Sequence, residues 1–187
     1  MKISRAEVQI IIEGQTIELK KSLGLMKEAS EALCGMLNSD ISKGAVLFGV
    51  SPDGSVSGIE PGNLDSAQRT LAQHIRQKFD PTIICSIEII ECDNKYLIKL
   101  EASKVAGVAY HEYDGRAYIR EGSTTRQLSY QEKQSLLKKR DRSQHNGPWK
   151  CDKCGALVGQ LISFEFTGNS MKKTYKCSCG GEFWPAT

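Results

Sequence analysis

The chain has no long apolar run. The longest near its start, Ile10-Ile11-Ile12, falls far short of a signal-peptide core or a membrane span. Neither secretion nor membrane insertion is expected, and a cytoplasmic protein is. Excess charge is also scarce. The formal net charge is only +3, with twenty Lys+Arg against nineteen Asp+Glu in residues 1–148 and five against three in residues 149–187. Bulk charge therefore announces no nucleic-acid binder, and any such surface must be a local patch beside acidic regions. A Gly-x-x-x-x-Gly-Lys-Ser/Thr phosphate loop is missing as well, because Gly35 to Gly44 lacks both the spacing and the following hydroxyl, which excludes a P-loop ATPase. His74, His111 and His145 have no partners at metal-ligand spacing and read as packed or surface residues.

What the chain does have begins with cysteine. Its 187 residues, 40% of them apolar, allow one medium domain and an appendage. Without a signal segment, the seven cysteines fit a reducing compartment, where cysteine pairs hold metal more often than they form disulfides. Cys34, Cys85 and Cys92 stand singly in helix- or strand-like segments and read as core. The other four are paired: Cys151-Asp152-Lys153-Cys154 and, after 22 residues, Cys177-Ser178-Cys179. Two thiolate knuckles joined by a β-like segment supply a tetrahedral structural zinc site, so a zinc ribbon with Cys151, Cys154, Cys177 and Cys179 as ligands is expected over residues 149–187. The second knuckle is Cys-x-Cys, the less common spacing. Four sulfur ligands leave no open position for water, which argues for a structural metal. A segment this small also needs such a metal to stay folded. Lys150, Lys153, Lys172, Lys173 and Lys176 alternate there with Trp149, Phe164, Phe166, Tyr175 and Trp184. That mixture suits phosphate contact and base stacking. The aromatics are needed first to cover the metal, so the lysines are the better binding candidates.

The polar, Gly-Pro-containing stretch 141–148 reads as a linker, and residues 1–140 as one domain. In Gln15–Lys20, Ile17 and Leu19 alternate with Glu18 and Lys20, as in a strand with the two charges on one face. Neither a strand nor a helix would bring Glu13 to Glu18, but a turn at Gly14 could. A helix is expected over Leu23–Leu37 with Asn38 at its end, followed by a buried strand at Gly44–Val50 and a turn at Ser51–Gly54. A return strand, Ser55–Ile59, completes that block. Asn63 is expected to cap a helix carrying Leu64, Ala67, Leu71, Ile75 and Phe79 that stops at Pro81. Strands follow at Ile83–Ile90 and Lys95–Ala102 around Asp93-Asn94, then near Val105–His111 and at Arg116–Arg120 around a turn at Asp114-Gly115. Ser129 to Glu132 has capping-box spacing for a last helix. The fold class is α+β, a mixed or antiparallel sheet with packed helices, plus a small β-rich zinc ribbon.

Glu13, Glu18-Leu19-Lys20, the helix ending in Asn38, Leu47-Phe48-Gly49-Val50, Asp53-Gly54, Val56 and Gly58 together resemble the AlbA-type domain of Schlafen proteins and their bacterial relatives. The later run Tyr118-Ile119-Arg120-Glu121-Gly122-Ser123-Thr124 is similar to that family's Tyr-Ile-Arg-x-Gly-Ser signature. The resemblance spans roughly residues 10 to 140, the size of one ordinary domain. The chain departs from the pattern at Ser39–Lys43, which intervenes before Gly44, and at Ser51, where the family carries an acid. The resemblance implies one of two activities. In the first, Glu13, Glu18 and Asp53 gather one or two Mg²⁺ or Mn²⁺ ions for phosphodiester cleavage of structured RNA such as tRNA, and Lys20 holds the scissile phosphate. In the second, the domain binds DNA, RNA or a protein partner without cutting, and Lys20, Arg116, Arg120 and Arg126 contact phosphate. A protein partner or an oligomer is compatible with either.

Overall fold

The computed structural model describes residues 2–144, 149–151, 153, 160–167, 170–176, 179–180 and 182–185. Beyond residue 139 it describes the backbone course, with side chains at Lys153 and Cys179 only. The chain divides into two compact units, residues 1–137 and 138–187.

The first unit is α+β. It opens with β1 (Lys2–Ile3) and α1 (Arg5–Gln9), whose N-terminus is closed by a reciprocal capping box between Ser4 and Glu7. Then come β2 (Ile17–Lys20), α2 (Met26–Asn38), β3 (Lys43–Phe48), α3 (Leu64–Lys78) and β4 (Phe79–Asp80). The long hairpin β5 (Ile84–Cys92) and β6 (Lys95–Ser103) turns at Asp93-Asn94, both at positive φ as a two-residue type I′ loop requires. β7 (Glu112–Tyr113), β8 (Tyr118–Glu121) and β9 (Thr124–Gln127) follow, and α4 (Tyr130–Gln144) begins within this unit and runs past its boundary at residue 137.

Five strands form a mixed sheet in the order β1-β5-β6-β3-β2, with β1 parallel to β5, β2 parallel to β3 and the remaining pairs antiparallel. Period-two alternation divides its side chains between two cores. Val46, Phe48, Ile98 and Leu100 pack against Leu33 and Leu37 of α2 and Leu71 and Ile75 of α3. On the opposite face Leu19, Leu47, Ile90 and Leu97 pack with Val8 of α1 and with Val50 and Val56. Because β3 contributes to both cores, its sequence has no polar alternation.

Several expected elements differ. The return strand Ser55–Ile59 is reduced to single bridges, Val50 to Val56 and Ile59 to Tyr96, because Gly54 and Gly58 both take positive φ and bend the chain. Val105–His111 is a loop whose backbone is tied locally, Val108 N–H to the Val105 carbonyl and Val105 N–H to the His111 ring. Asn63 ends a short 3-10 turn, Pro61–Asn63, and makes no side-chain cap. α3 ends at Lys78, two residues before the bond to Pro81, and Phe79 enters β4. The capping box at α4 forms as expected, with Glu132 Oε2 accepting from Ser129 N–H at 2.9 Å and Ser129 Oγ accepting from Glu132 N–H at 3.3 Å.

The second unit contains β10 (Trp149–Cys151), β11 (Gln160–Thr167), β12 (Ser170–Lys176) and β13 (Glu182–Pro185), an antiparallel sheet in the order β10-β13-β12-β11. Its register sets Cys151 opposite Phe183, and Phe183 also faces Tyr175. Lys172 and Lys173 pair in register with Glu165 and Phe164, and Lys176 with Gln160 and Glu182. Cys154, Cys177 and residues 145–148 of the expected linker lie outside the described residues, while α4 continues into residues 141–144 of that stretch.

Candidate functional site

β2 is an edge strand. β3 pairs with one side of it, and the other side would expose N–H and C=O groups to any passing strand. Two charged side chains cover that side. Glu13 Oε1 accepts from Leu19 N–H at 2.9 Å, so the preceding segment folds back along the strand. Gly14 N–H donates to the Ile17 carbonyl at 3.0 Å, which forms the expected turn without a positive φ at Gly14. Arg120, projecting from β8, donates Nε to the Gly14 carbonyl at 2.8 Å and Nη1 to Thr125 Oγ1 at 3.0 Å. It also pairs Nη2 with Glu18 Oε2 at 2.6 Å.

Glu18 is thus held from two directions, since its other oxygen pairs with Lys20 on the same face of β2. The triad is enclosed: side-chain exposure is 2% for Arg120, 10% for Glu18 and 15% for Lys20. Gln15 adds a two-point clamp, donating Nε2 to the Arg120 carbonyl and accepting from Gly122 N–H, both at 2.6 Å. Gly35 lets α2 approach β8, because a Cβ there would lie 3.0 Å from the Arg120 nitrogen. The strand bearing Glu18 and the hairpin bearing Arg120 are therefore one unit, although about a hundred residues separate them in the chain.

The remaining candidates are placed apart. Asp53 Oδ1 accepts from Ser55 N–H at 2.9 Å and from Ser55 Oγ at 2.7 Å in an exposed turn. These bonds from the Ser55 hydroxyl and amide hold its carboxyl below the usual range. The flanking residues Val50 and Val56 belong to the α1-side core, the face opposite Glu18. Among the described residues, no group of three His, Cys, Asp or Glu is placed to hold a metal ion. Glu13 is engaged by a backbone amide and Glu18 by two cations, so this arrangement does not fit a divalent ion.

Of the three candidate arginines, Arg116 is exposed, whereas Arg120, expected at a phosphate-contacting surface, is buried and engaged by the Gly14 carbonyl, Thr125 and Glu18. Arg126 is bound by Glu121 and Glu132, each at 2.7 Å, and those carboxylates raise its pKa further. Lys20 is the least enclosed member of the triad. In the second unit, Lys153, which lies between Cys151 and Cys154, is exposed and donates to the carbonyl of Gly180, the residue after Cys179, at 3.4 Å. Cys179 is exposed.

Sequence reading missed Gln15, Thr125 and Gly35. A glycine inside an amphipathic helix, next to Cys34 and Met36, is a signal of close backbone approach that points to Gly35. Nothing in the local pattern marks Gln15 or Thr125, because their partners are contributed by the tertiary fold.

A family model described as Schlafen, AlbA_2 matches residues 13–129, from Glu13 itself to the cap of α4. The chain belongs to this family. The matched span holds β2 through β9, and thus the whole Glu18–Arg120 unit. Among solved structures, the chain is similar to the DIP2311 protein of Corynebacterium diphtheriae, at 12% identity and a TM-score of 0.46 over 82% of this chain. It spans 26% of the length of that protein. It is also similar to the N-terminal domain of a RecG-related protein from Nitrosomonas europaea, at 19% identity and a TM-score of 0.43 over 67% of this chain and 90% of that one. No curated protein matches.

Proposed function

We propose that this Schlafen-family protein binds nucleic acid, with Lys20 as a phosphate contact beside the Glu18–Arg120 pair. One observation carries the reading: two segments that match family signatures meet in an enclosed ion network at a sheet edge. Buried ion pairs are poor stabilisers, since desolvation offsets most of their attraction and well-packed apolar residues often do as well. An enclosed cluster of charges that adds little stability is a candidate for a binding role. Two cations on one carboxylate leave the triad one net positive charge, and Lys20, its least enclosed member, is the side chain placed to face a phosphate.

Cleavage is the narrower form of this proposal. It would require Glu13, Glu18 and Asp53 to rearrange around Mg²⁺ or Mn²⁺, with structured RNA as the substrate; binding without cleavage needs no such rearrangement and is the better supported form. Incubating the full-length protein with labelled tRNA, single-stranded RNA and duplex DNA, with divalent metal or chelator, tests both. Shifted complexes without products are expected. Metal-dependent products that vanish in Glu18→Gln would establish the nuclease, and no complex with any of the three at low salt would refute the proposal.

We also propose that Cys151, Cys154, Cys177 and Cys179 hold one structural Zn²⁺. Support comes from the ligand spacing, from the antiparallel sheet and from the Lys153–Gly180 contact. Elemental analysis should give one zinc per chain, and a strong chelator should unfold the second unit while leaving the first intact. Metal-free protein with that unit still folded would refute it.

A further inference from the structure

We infer that Arg120 is a charge-compensating positioning residue: it cancels Glu18, so that the charge of Lys20 remains available to a phosphate. This inference rests on the nucleic-acid reading above. With both cations in place the triad carries one net positive charge, and without Arg120 the Lys20–Glu18 pair is neutral. Arg120 cannot itself be the phosphate contact. Its guanidinium is 2% exposed and is occupied by the Gly14 carbonyl, Thr125 Oγ1 and Glu18 Oε2. The Ile17 carbonyl lies at 3.5 Å from Nη2 as a further acceptor.

The placement depends on arginine chemistry. Five donors in a planar fork can satisfy backbone, hydroxyl and carboxylate acceptors at once, which a lysine ammonium with its three donors on a point charge cannot match in geometry. The surroundings hold β8 from both sides. Gln15 clamps the Arg120 carbonyl and Gly122 N–H, and the missing side chain at Gly35 admits the Arg120 backbone against α2. The guanidinium is therefore fixed over the β2 edge before any ligand arrives, and the Tyr-Ile-Arg signature serves the Glu-Leu-Lys segment rather than touching ligand.

Fluorescence anisotropy of the full-length protein with labelled single-stranded RNA and duplex DNA tests this, with thermal melts run in parallel. Arg120→Gln should weaken binding by roughly 5–8-fold at about 0.1 M salt, the loss expected for one fewer phosphate neutralised, and should lower the log–log salt slope by about 0.7–0.9. Glu18→Gln alone should tighten binding, because it removes a negative charge and leaves both cations. The double variant should return to within about twofold of wild type. A purely structural role for Arg120 would leave Glu18→Gln no tighter than wild type. Glu18→Gln binding equal to or weaker than wild type therefore overturns the inference, as does a folded double variant as weak as Arg120→Gln. If Arg120→Gln does not fold, the Glu18→Gln affinity decides alone. Wild-type protein that binds neither probe sinks the nucleic-acid reading itself, an outcome distinct from binding that Glu18→Gln fails to improve.

Discussion

Asn38 ends α2 inside the core, 3% exposed, where its amide spans three backbone groups. Nδ2 donates to the His111 carbonyl at 2.9 Å and the Tyr118 carbonyl at 2.8 Å, while Oδ1 accepts from His111 N–H at 2.7 Å. The side chain thereby joins the end of α2 to the loop before β7 and to the start of β8, the strand that carries Arg120. Asn38→Ala orphans the buried His111 N–H outright and removes a donor from each carbonyl. The His111 carbonyl keeps the Cys34 thiol at 3.3 Å, so its loss is partial. At about 1–3 kcal/mol per buried group left unsatisfied, the total is about 3–4 kcal/mol. For a unit of this size that lowers Tm by roughly 10 °C or more. Asn38→Asp is nearly isosteric but sets a carboxylate against two carbonyl oxygens, so it should lose more at neutral pH and recover part of the loss in acid, where the protonated carboxyl can donate one bond. Urea denaturation of the wild type and both variants at two pH values measures this. An Asn38→Ala variant within about 1 kcal/mol of wild type would refute the bookkeeping.

Two further outcomes are expected. The His111 ring is enclosed between the Pro81 carbonyl, which can only accept and lies 2.9 Å from Nδ1, and Val105 N–H, which can only donate and lies 3.3 Å from Nε2. The ring is therefore neutral with its proton on Nδ1, and burial lowers its pKa from the ordinary 6.5 against the opposing pull of the Pro81 hydrogen bond. Burial also lowers that of His74, so the stability both contribute is complete above about pH 6.5 and is lost as pH falls below it, where the unfolded chain binds the protons. An NMR titration with the His111 midpoint at or above 6.5 would contradict this. Gly35→Ala gains about 1 kcal/mol of helix propensity but presses a methyl to 3.0 Å from the Arg120 and Ile119 backbone. Overpacking against atoms that cannot rotate away costs about 1–3 kcal/mol, so net destabilisation and weaker nucleic-acid binding are expected. A variant more stable than wild type would show that β8 has room to move.

Much of the framework was legible because it depends on neighbours in sequence. The strand at Ile17–Leu19, the helix ending at Asn38 and the turns at Asp93-Asn94 and Asp114-Gly115 follow from periodicity and from residues that tolerate positive φ. So does the capping box at Ser129 and Glu132. The chain's membership of the Schlafen family was legible for the same reason, since its signatures are short local runs. Ser55–Ile59 and Val105–His111 flank turn residues as hairpin strands do, but a turn signal says nothing of whether a partner strand is within reach.

Local order fixed which residue types sit on each element, including Glu18 beside Lys20 on one face of β2. Which charges meet across the molecule was decided only when β8 came to rest on α2 and over the β2 edge. That contact turned Arg120 from a presumed surface cation into the buried partner of Glu18, and gave Gln15 and Gly35 their tasks. It left Asp53 in an exposed turn, bonded to Ser55. Charge pairing acts over a few ångströms in space, whereas the sequence orders residues along the chain, and about a hundred positions separate the two ends of this network.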